Sequence, residues 1–204
     1  MKKVLISGGS GGIAQAIKSL LEKEGYQVYA PTRNEMDVTD LECIEKVISA
    51  YKPDILINNA GYVVPQSIKN ADTNVTKKHI DIKLTGFFYC TAIGLKYNQA
   101  LQIINIGSAA AVEVHATWSE YCATKAAVVM ATRCWAEDGL YCVCISPGRT
   151  KTKMRKNLFP DEDQGTLLEP DDFAKVVYKA VKKEFDPGSN IIVKKQNVQS
   201  ILEN

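Results

Sequence analysis

The chain has 204 residues, 46% apolar and 24% charged, which suits one globular domain with a sizeable core. A formal net charge of +2 argues against nucleic acid or a membrane surface as partner. Cysteines 43, 90, 122, 134, 142 and 144 and two histidines show no metal-ligand spacing, so no metal site is expected and a reducing, cytoplasmic setting is.

The first apolar run stops at Ser7-Gly8-Gly9, too short for a secretory signal, and no stretch is long enough to span a bilayer. Residues 3–7 read as a buried strand. A glycine-rich turn follows, then a helix with apolar residues at 13, 16, 17, 20 and 21, stopped by Gly25. Residues 26–30 form a second strand. Thr39 or Asp40 caps a helix running to about residue 51, and 54–58 is a strong apolar strand. After a loop over 62–72, a helix is expected over about 73–95 with Val75, Ile80, Leu84, Phe87 and Phe88 facing the core. Residues 102–106 are the next strand. A helix over about 119–136 carries Tyr121 and Lys125, four apart and therefore on one face. Residues 140–145 form a strand that places Cys142 and Cys144 on one side. Residues 149–168 read as irregular, Pro170 opens a helix to about 184, and 190–194 is a last strand.

Strands alternating with helices imply right-handed βαβ units, and so a doubly wound parallel α/β sheet in one domain, 1–204. Between the first strand and first helix lies Ser7-Gly8-Gly9-Ser10-Gly11-Gly12-Ile13-Ala14. Glycines there let the backbone approach a pyrophosphate, and the helix N-terminus offers free N–H groups to it.

With this loop, Asn58-Asn59-Ala60-Gly61, Ser108, Tyr121-x-x-x-Lys125 and Pro147-Gly148, the chain resembles the short-chain dehydrogenase/reductase family from residue 3 to about 152. The resemblance implies a Rossmann-like fold that binds a nicotinamide dinucleotide. It implies that Ser7, Gly8, Ser10, Gly12 and Ile13 meet the phosphates, with Ala14 standing where the family's last glycine is usual. Asp37 and Val38 would hold the adenine, Asn59, Ala60 and Gly61 would lie along the ribose, and Pro147, Gly148 and Thr152 would hold the carboxamide. Ser108 would orient the substrate oxygen, Tyr121 would be the proton donor, and Lys125 would lower the tyrosine pKa and hold the ribose. Lys83 stands where the family often has an asparagine of the proton relay. It is a fourth candidate catalytic residue, a contact for an anionic substrate, or a solvent-facing lysine.

The segment after the second strand, Ala30-Pro31-Thr32-Arg33, lacks the carboxylate that would bind the ribose 2′-hydroxyl of NAD. Arg33 suits a 2′-phosphate, so NADP(H) is favoured over NAD(H), with Glu35 as the counter-argument. The short link from that strand to Asp37 leaves no room for a full further strand, so a reduced sheet edge is expected. Arg149, Lys151, Lys153, Arg155 and Lys156 follow Gly148; they suggest an anionic substrate met by Arg149 and Lys153, although a solvated basic loop has the same composition. His115 and Trp118 are candidate pocket residues beside Ser108 and Tyr121. The stretches 154–163 and 166–170 are similar to the reductase part of bacterial ribulose 5-phosphate reductase/CDP-ribitol pyrophosphorylases, which implies a small phosphorylated ketose and a role in polysaccharide biosynthesis. The expected activity is carbonyl reduction or alcohol oxidation by a homodimer or homotetramer. A non-catalytic NADP(H)-binding sensor on the same fold is the competing reading.

Overall fold

The computed structural model describes residues 1–204. Strands β1 (Lys3–Ile6), β2 (Gln27–Tyr29), β3 (Ile55–Asn58), β4 (Gln102–Ile106), β5 (Cys142–Pro147) and β6 (Asn190–Val193) form one parallel sheet in the order β2-β1-β3-β4-β5-β6. The helices are α1 (Gly12–Lys23), α2 (Leu41–Tyr51), α3 (Thr73–Ile80), α4 (Gly86–Tyr97) and α5 (Ser119–Glu137), then α6 (Lys153–Leu158), α7 (Pro170–Val181) and α8 (Val198–Glu203). The fold is the expected doubly wound Rossmann-like α/β sheet. None of the helices is long and apolar enough to cross a membrane.

The period-two alternation of the strands divides the core between two faces. Val4, Ile6, Ile57, Ile104, Val143 and Ile145 point to one side, where Ile17 and Leu21 of α1 meet Phe173 and Val177 of α7. Leu5, Leu56, Ile103 and Cys142 point to the other, against Ile44 and Ile48 of α2 and Cys90 and Ile93 of α4. Cys142 and Cys144 share that second side, both buried. The sheet ends at β2, only three residues long, so the reduced edge is present. A loop then leads to Asp40, whose carboxylate caps α2 by accepting from the Glu42 and Cys43 N–H groups.

One polar chain crosses the second face. Asn58 Nδ2 donates to Thr91 Oγ1 on α4 and to Asn105 Oδ1 on β4, both at 3.0 Å. Asn105 Nδ2 donates to Thr132 Oγ1 on α5 at 2.9 Å.

The structure departs from expectation in four places. The helix expected over 73–95 is interrupted by a π-helical turn at Asp81–Thr85, in which Gly86 N–H donates to the Asp81 carbonyl five residues back. The turn inserts one residue into the helical phase. Phe87 therefore reaches the core while Ile80 and Phe88 stay 44% and 45% exposed. The segment 149–168 is not irregular throughout but contains α6, capped by the Thr152 hydroxyl, which accepts from Arg155 N–H. The helix from Pro170 ends at Val181, where Lys183 takes φ 65°. A terminal helix, α8, follows β6, with Val198 buried.

Candidate active site

In a parallel sheet the C-terminal strand ends open onto a common crevice. Four of them converge here. Ser7 follows β1, Asn59-Ala60-Gly61 follow β3, Ser108 follows β4, and Pro147-Gly148 end β5. Ser7 Oγ accepts from both Asn59 N–H and Ala60 N–H at 3.0 Å, and Asn59 Nδ2 donates to the Ser7 and Gly8 carbonyls. These bonds clamp the first glycine turn onto the β3 loop. Gly8 has φ 70°, and a Cβ on it would lie 2.8 Å from Ala60 Cα. A Cβ on Gly9 would lie 2.0 Å from the Ala30 carbonyl oxygen, so this loop needs glycine for close packing on the end of β2. Gly11 caps α1 without a side-chain hydrogen bond, and no acidic residue follows in the first turn. Ser10, Gly11 and Gly12 are exposed. The α1 N-terminus therefore presents unpaired N–H groups to the crevice.

A cavity of about 950 Å³ opens at the other end of the crevice. Ser108, Tyr121, His115, Trp118, Arg149, Pro147, Gly148, Thr152 and Ile13 all line it, so nine of the sequence candidates meet there. Trp118 packs edge-on to Tyr121, centroids 5.2 Å apart, and stacks on Phe159. Arg155 lies 3.8 Å over the Phe159 ring. Thr117, just before α5, has φ 68°, a costly conformation for a β-branched residue. Its carbonyl accepts from Gln66 N–H at 2.8 Å, tying the entry of α5 to the loop after β3.

Tyr121 is half-buried and Lys125 is buried. Burial raises the Tyr121 pKa above its ordinary value, while the Ser108 hydroxyl opposes the shift. This corrects the expectation of a phenol lowered by Lys125. The lysine instead donates to the Ile106 carbonyl at 2.6 Å, and burial brings its own pKa down to about 8. Lys83 does not reach solvent: it is 2% exposed. Its Nζ lies 4.0 Å from the Tyr121 ring centroid and 2.7 Å from His79 Nδ1. Burial first, and Lys125 second, push Lys83 down to about 6.

Other candidates lie apart. Lys153 is exposed on α6 and does not line the cavity. Arg149 and Arg155 are not free cations; both engage Glu162, Arg155 through Nε at 2.6 Å and Nη2 at 2.7 Å, Arg149 at 3.3 Å. The Glu162 carboxyl is held below its ordinary pKa, chiefly by the Arg155 hydrogen bonds. Lys151 pairs with Glu169 at 3.0 Å. The basic run is thus largely neutralised by acids that return from later in the chain. At the far end of the crevice, Arg33 Nε is 3.0 Å from Asp37 Oδ2, and Thr39 donates to Asp37 Oδ1 through both its N–H and its hydroxyl. Burial alone would raise the Asp37 pKa, but these hydrogen bonds win and lower it. Val38 is buried against Gly86. Glu35 turns back to accept from Thr32 N–H at 2.7 Å. His79, buried beside Lys83, is absent from the sequence candidates; its spacing of four residues from Lys83 was the available signal.

The short chain dehydrogenase family model matches residues 34–163, more than half of the chain. A bifunctional ribulose 5-phosphate reductase/CDP-ribitol pyrophosphorylase from Haemophilus influenzae is 28% identical over 81% of this chain, which spans only 38% of that protein's length. A benzil reductase ((S)-benzoin forming) from Bacillus cereus is 27% identical, over 94% of this chain and 98% of its own. Among solved structures, a short chain dehydrogenase/reductase family protein matches with a TM-score of 0.86 at 25% identity, over 94% of this chain and 95% of that one. An ElxO variant with NADPH bound matches with a TM-score of 0.86 at 22% identity, over 98% and 100%. With its sheet order, its strand-end loops and the family match in agreement, the chain belongs to the short chain dehydrogenase family of oxidoreductases.

Proposed function

We propose that this oxidoreductase uses NADPH to reduce the carbonyl of a small molecule, with Tyr121 as the proton donor. The observation that carries the reading is the convergence of Ser108, Tyr121, Pro147, Gly148 and Thr152 on one cavity, with the glycine turn and the uncapped α1 N-terminus at its other end. The residues present fit a dinucleotide. Two glycines leave room only for backbone, and Gly12 lies beside Thr152, a Cβ on it being 3.5 Å from Thr152 Cγ2. When bound, the nicotinamide would supply the hydride.

The chain's own residues do the rest. Ser108, whose hydroxyl accepts from Ala110 N–H at 3.2 Å and lines the cavity with Tyr121, orients the carbonyl oxygen beside the phenol. Tyr121 delivers a proton to that oxygen as negative charge develops on it. Lys125, fixed by the Ile106 carbonyl, would hold the cofactor ribose. Trp118 and Phe159 give the cavity a stacked aromatic wall.

NADPH is favoured because Glu35 is committed to Thr32 and no other carboxylate follows directly on β2, while the Arg33 side chain is 65% exposed. Arg33→Ala should raise the KM for NADPH about tenfold with little change for NADH; equal effects on both would reverse the assignment. Binding is expected to use Asp37 and Val38 at the adenine and Asn59, Ala60 and Gly61 at the ribose. A phosphorylated ketose is the specific substrate proposed. Its support is the resemblance to the Haemophilus influenzae protein; of the cations on the cavity wall, Arg149 and Arg155 engage Glu162 and Lys194 engages Glu113, which leaves Lys195 without a carboxylate partner. A homodimer through α4 and α5 is supported by Phe88, Tyr89 and Met130, which stay exposed on those helices.

The test is a panel of pentulose phosphates and neutral ketones, benzil included, scored by loss of reduced nicotinamide absorbance. Tyr121→Phe should lower kcat about 10³-fold with the fold intact. A Tyr121→Phe enzyme at wild-type rate would remove the proposal, and a sensor that binds NADPH without turnover would take its place. Turnover of neutral ketones alone would remove the phosphorylated substrate.

A further inference from the structure

The geometry points to His79 and Lys83 as a buried relay pair that carries the proton spent in each reduction from the surface loop at Val64 to Tyr121. The inference rests on the reading of Tyr121 as proton donor. Both side chains are buried, at 1% and 2% exposure. Lys83 Nζ stands 2.7 Å from His79 Nδ1. The other ring nitrogen, Nε2, is 3.3 Å from both the N–H and the carbonyl of Val64, a residue 38% exposed. Val64 thus offers a donor and an acceptor to the same nitrogen, and an amine can donate to Nδ1 or accept from it. Each neutral tautomer of His79 is satisfied at both ends. A histidine built only for packing needs one tautomer.

On its inner side the pair reaches the active site. Lys83 lies against the face of the Tyr121 ring, at 4.0 Å from its centroid. Lys83 and Lys125 both line a small cavity of about 10 Å³, together with Asn58. Asn58 Oδ1 is a buried acceptor without a partner in the protein. A polar cavity of that size fits one water, which would join Lys83 to Lys125.

The groups around the pair set its affinity for protons. Lys83 is faced by Lys125, Cys122, Glu120 and Tyr121 of α5, and by His79 from its own side. His79 is faced by Lys83, by Glu120 and by Tyr62, whose ring centroid is 5.0 Å away. Burial and Lys125 bring Lys83 down to about 6, into the range of a histidine. Burial and then Lys83 lower His79 as well. A lysine so lowered can exchange a proton with the adjacent imidazole.

The step balances as one proton in and one delivered. His79 Nε2 takes a proton from solvent water at the partly exposed Val64 loop, leaving hydroxide or buffer base in solvent, and Nδ1–H passes one to the Lys83 amine. The resulting ammonium releases one through the cavity toward Lys125 and the Tyr121 phenolate. No electron moves.

His79→Gln keeps a hydrogen-bonding side chain beside Lys83 but cannot carry a proton. With the carbonyl the wild type reduces fastest, this variant should lose about tenfold or more in kcat. Its solvent deuterium isotope effect should grow, and added imidazole should restore the rate. Unchanged kcat and isotope effect in His79→Gln, with Tyr121→Phe inactive, would overturn the relay and leave the proposed function standing; an active Tyr121→Phe would overturn both. A second measurement needs no turnover. The chain has two histidines, so nitrogen-15 spectra resolve His79 directly. The wild type should show both neutral tautomers in exchange, and Lys83→Met should collapse them to one and raise the His79 titration midpoint. A His79 signal that does not respond to Lys83→Met overturns the proposal.

Discussion

Two polar clusters meet at the small cavity lined by Asn58, Lys83 and Lys125, and they are built from different chemistry. The Thr91–Asn58–Asn105–Thr132 chain contains only amides and hydroxyls, and its three links are 2.9 to 3.0 Å long. It ties α4 and α5 to the sheet and is indifferent to pH. The His79–Lys83–Lys125–Tyr121 group contains only titratable side chains, held close by burial. Burial has shifted every one of its members, lowering the three bases and raising the phenol. The difference separates holding from doing: neutral groups in low dielectric brace the strand ends, whereas ionisable groups there are poised to exchange protons.

The contrast can be broken by substitution on either side. The largest effect on stability is expected from Asn105→Ala. It removes the acceptor for Asn58 and the donor to Thr132, and should cost about 3 kcal/mol in denaturant unfolding with activity per folded molecule retained. A loss below about 1 kcal/mol would show that the amide chain is not a brace.

Next in size is a pH effect. Between about 6 and 10.5 the unfolded chain holds a proton on Lys83 that the fold has released. Stability therefore rises with pH across that window, by up to about 1.4 kcal/mol per pH unit from this group. Lys125 adds the same trend from about 8 upward. Lys83→Met should flatten the rise between pH 7 and about 8, as read from unfolding midpoints, while Asn105→Ala should shift the whole curve without changing its slope. Equal slopes in wild type and Lys83→Met would mean that Lys83 stays charged in the fold.

The smallest expected effect is that of Thr91→Val, which loses one hydrogen bond from Asn58 and one to the Phe87 carbonyl. It should cost about 1 kcal/mol at every pH tested. A pH-dependent loss would tie the two clusters together and remove the distinction.

Much of the fold was legible because its signals are local. The alternation of apolar strands and amphipathic helices gave the sheet, and the short link after β2 gave its missing edge strand. Ser108, Pro147, Gly148 and Thr152 sit where strand-end loops must place them, and Tyr121 lies in the first turn of the helix that follows one such loop, so their convergence followed from topology. What escaped depends on the return of distant chain or on backbone register. Glu162 neutralises Arg149 and Arg155 only because the segment after α6 doubles back, so a run of cations in sequence is not a run of free cations in space. The π-helical turn leaves no compositional mark, and so Ile80 and Phe88 were assigned to the wrong side. Lys83 was noticed as a misplaced residue type, but its partner His79 becomes visible only once burial is known.

The π-helical turn at Asp81–Thr85 has a genetic meaning as well as a geometric one. It makes the helix longer by one residue than its path requires. Deleting a single residue there would restore regular winding and leave the helix on either side of the turn on the faces it now occupies. Only the residues inside the turn would change direction, Lys83 among them, although no residue lining the 950 Å³ cavity had been exchanged. The direction of Lys83 is therefore written as a length and not as a letter: one codon lost there is enough to turn it.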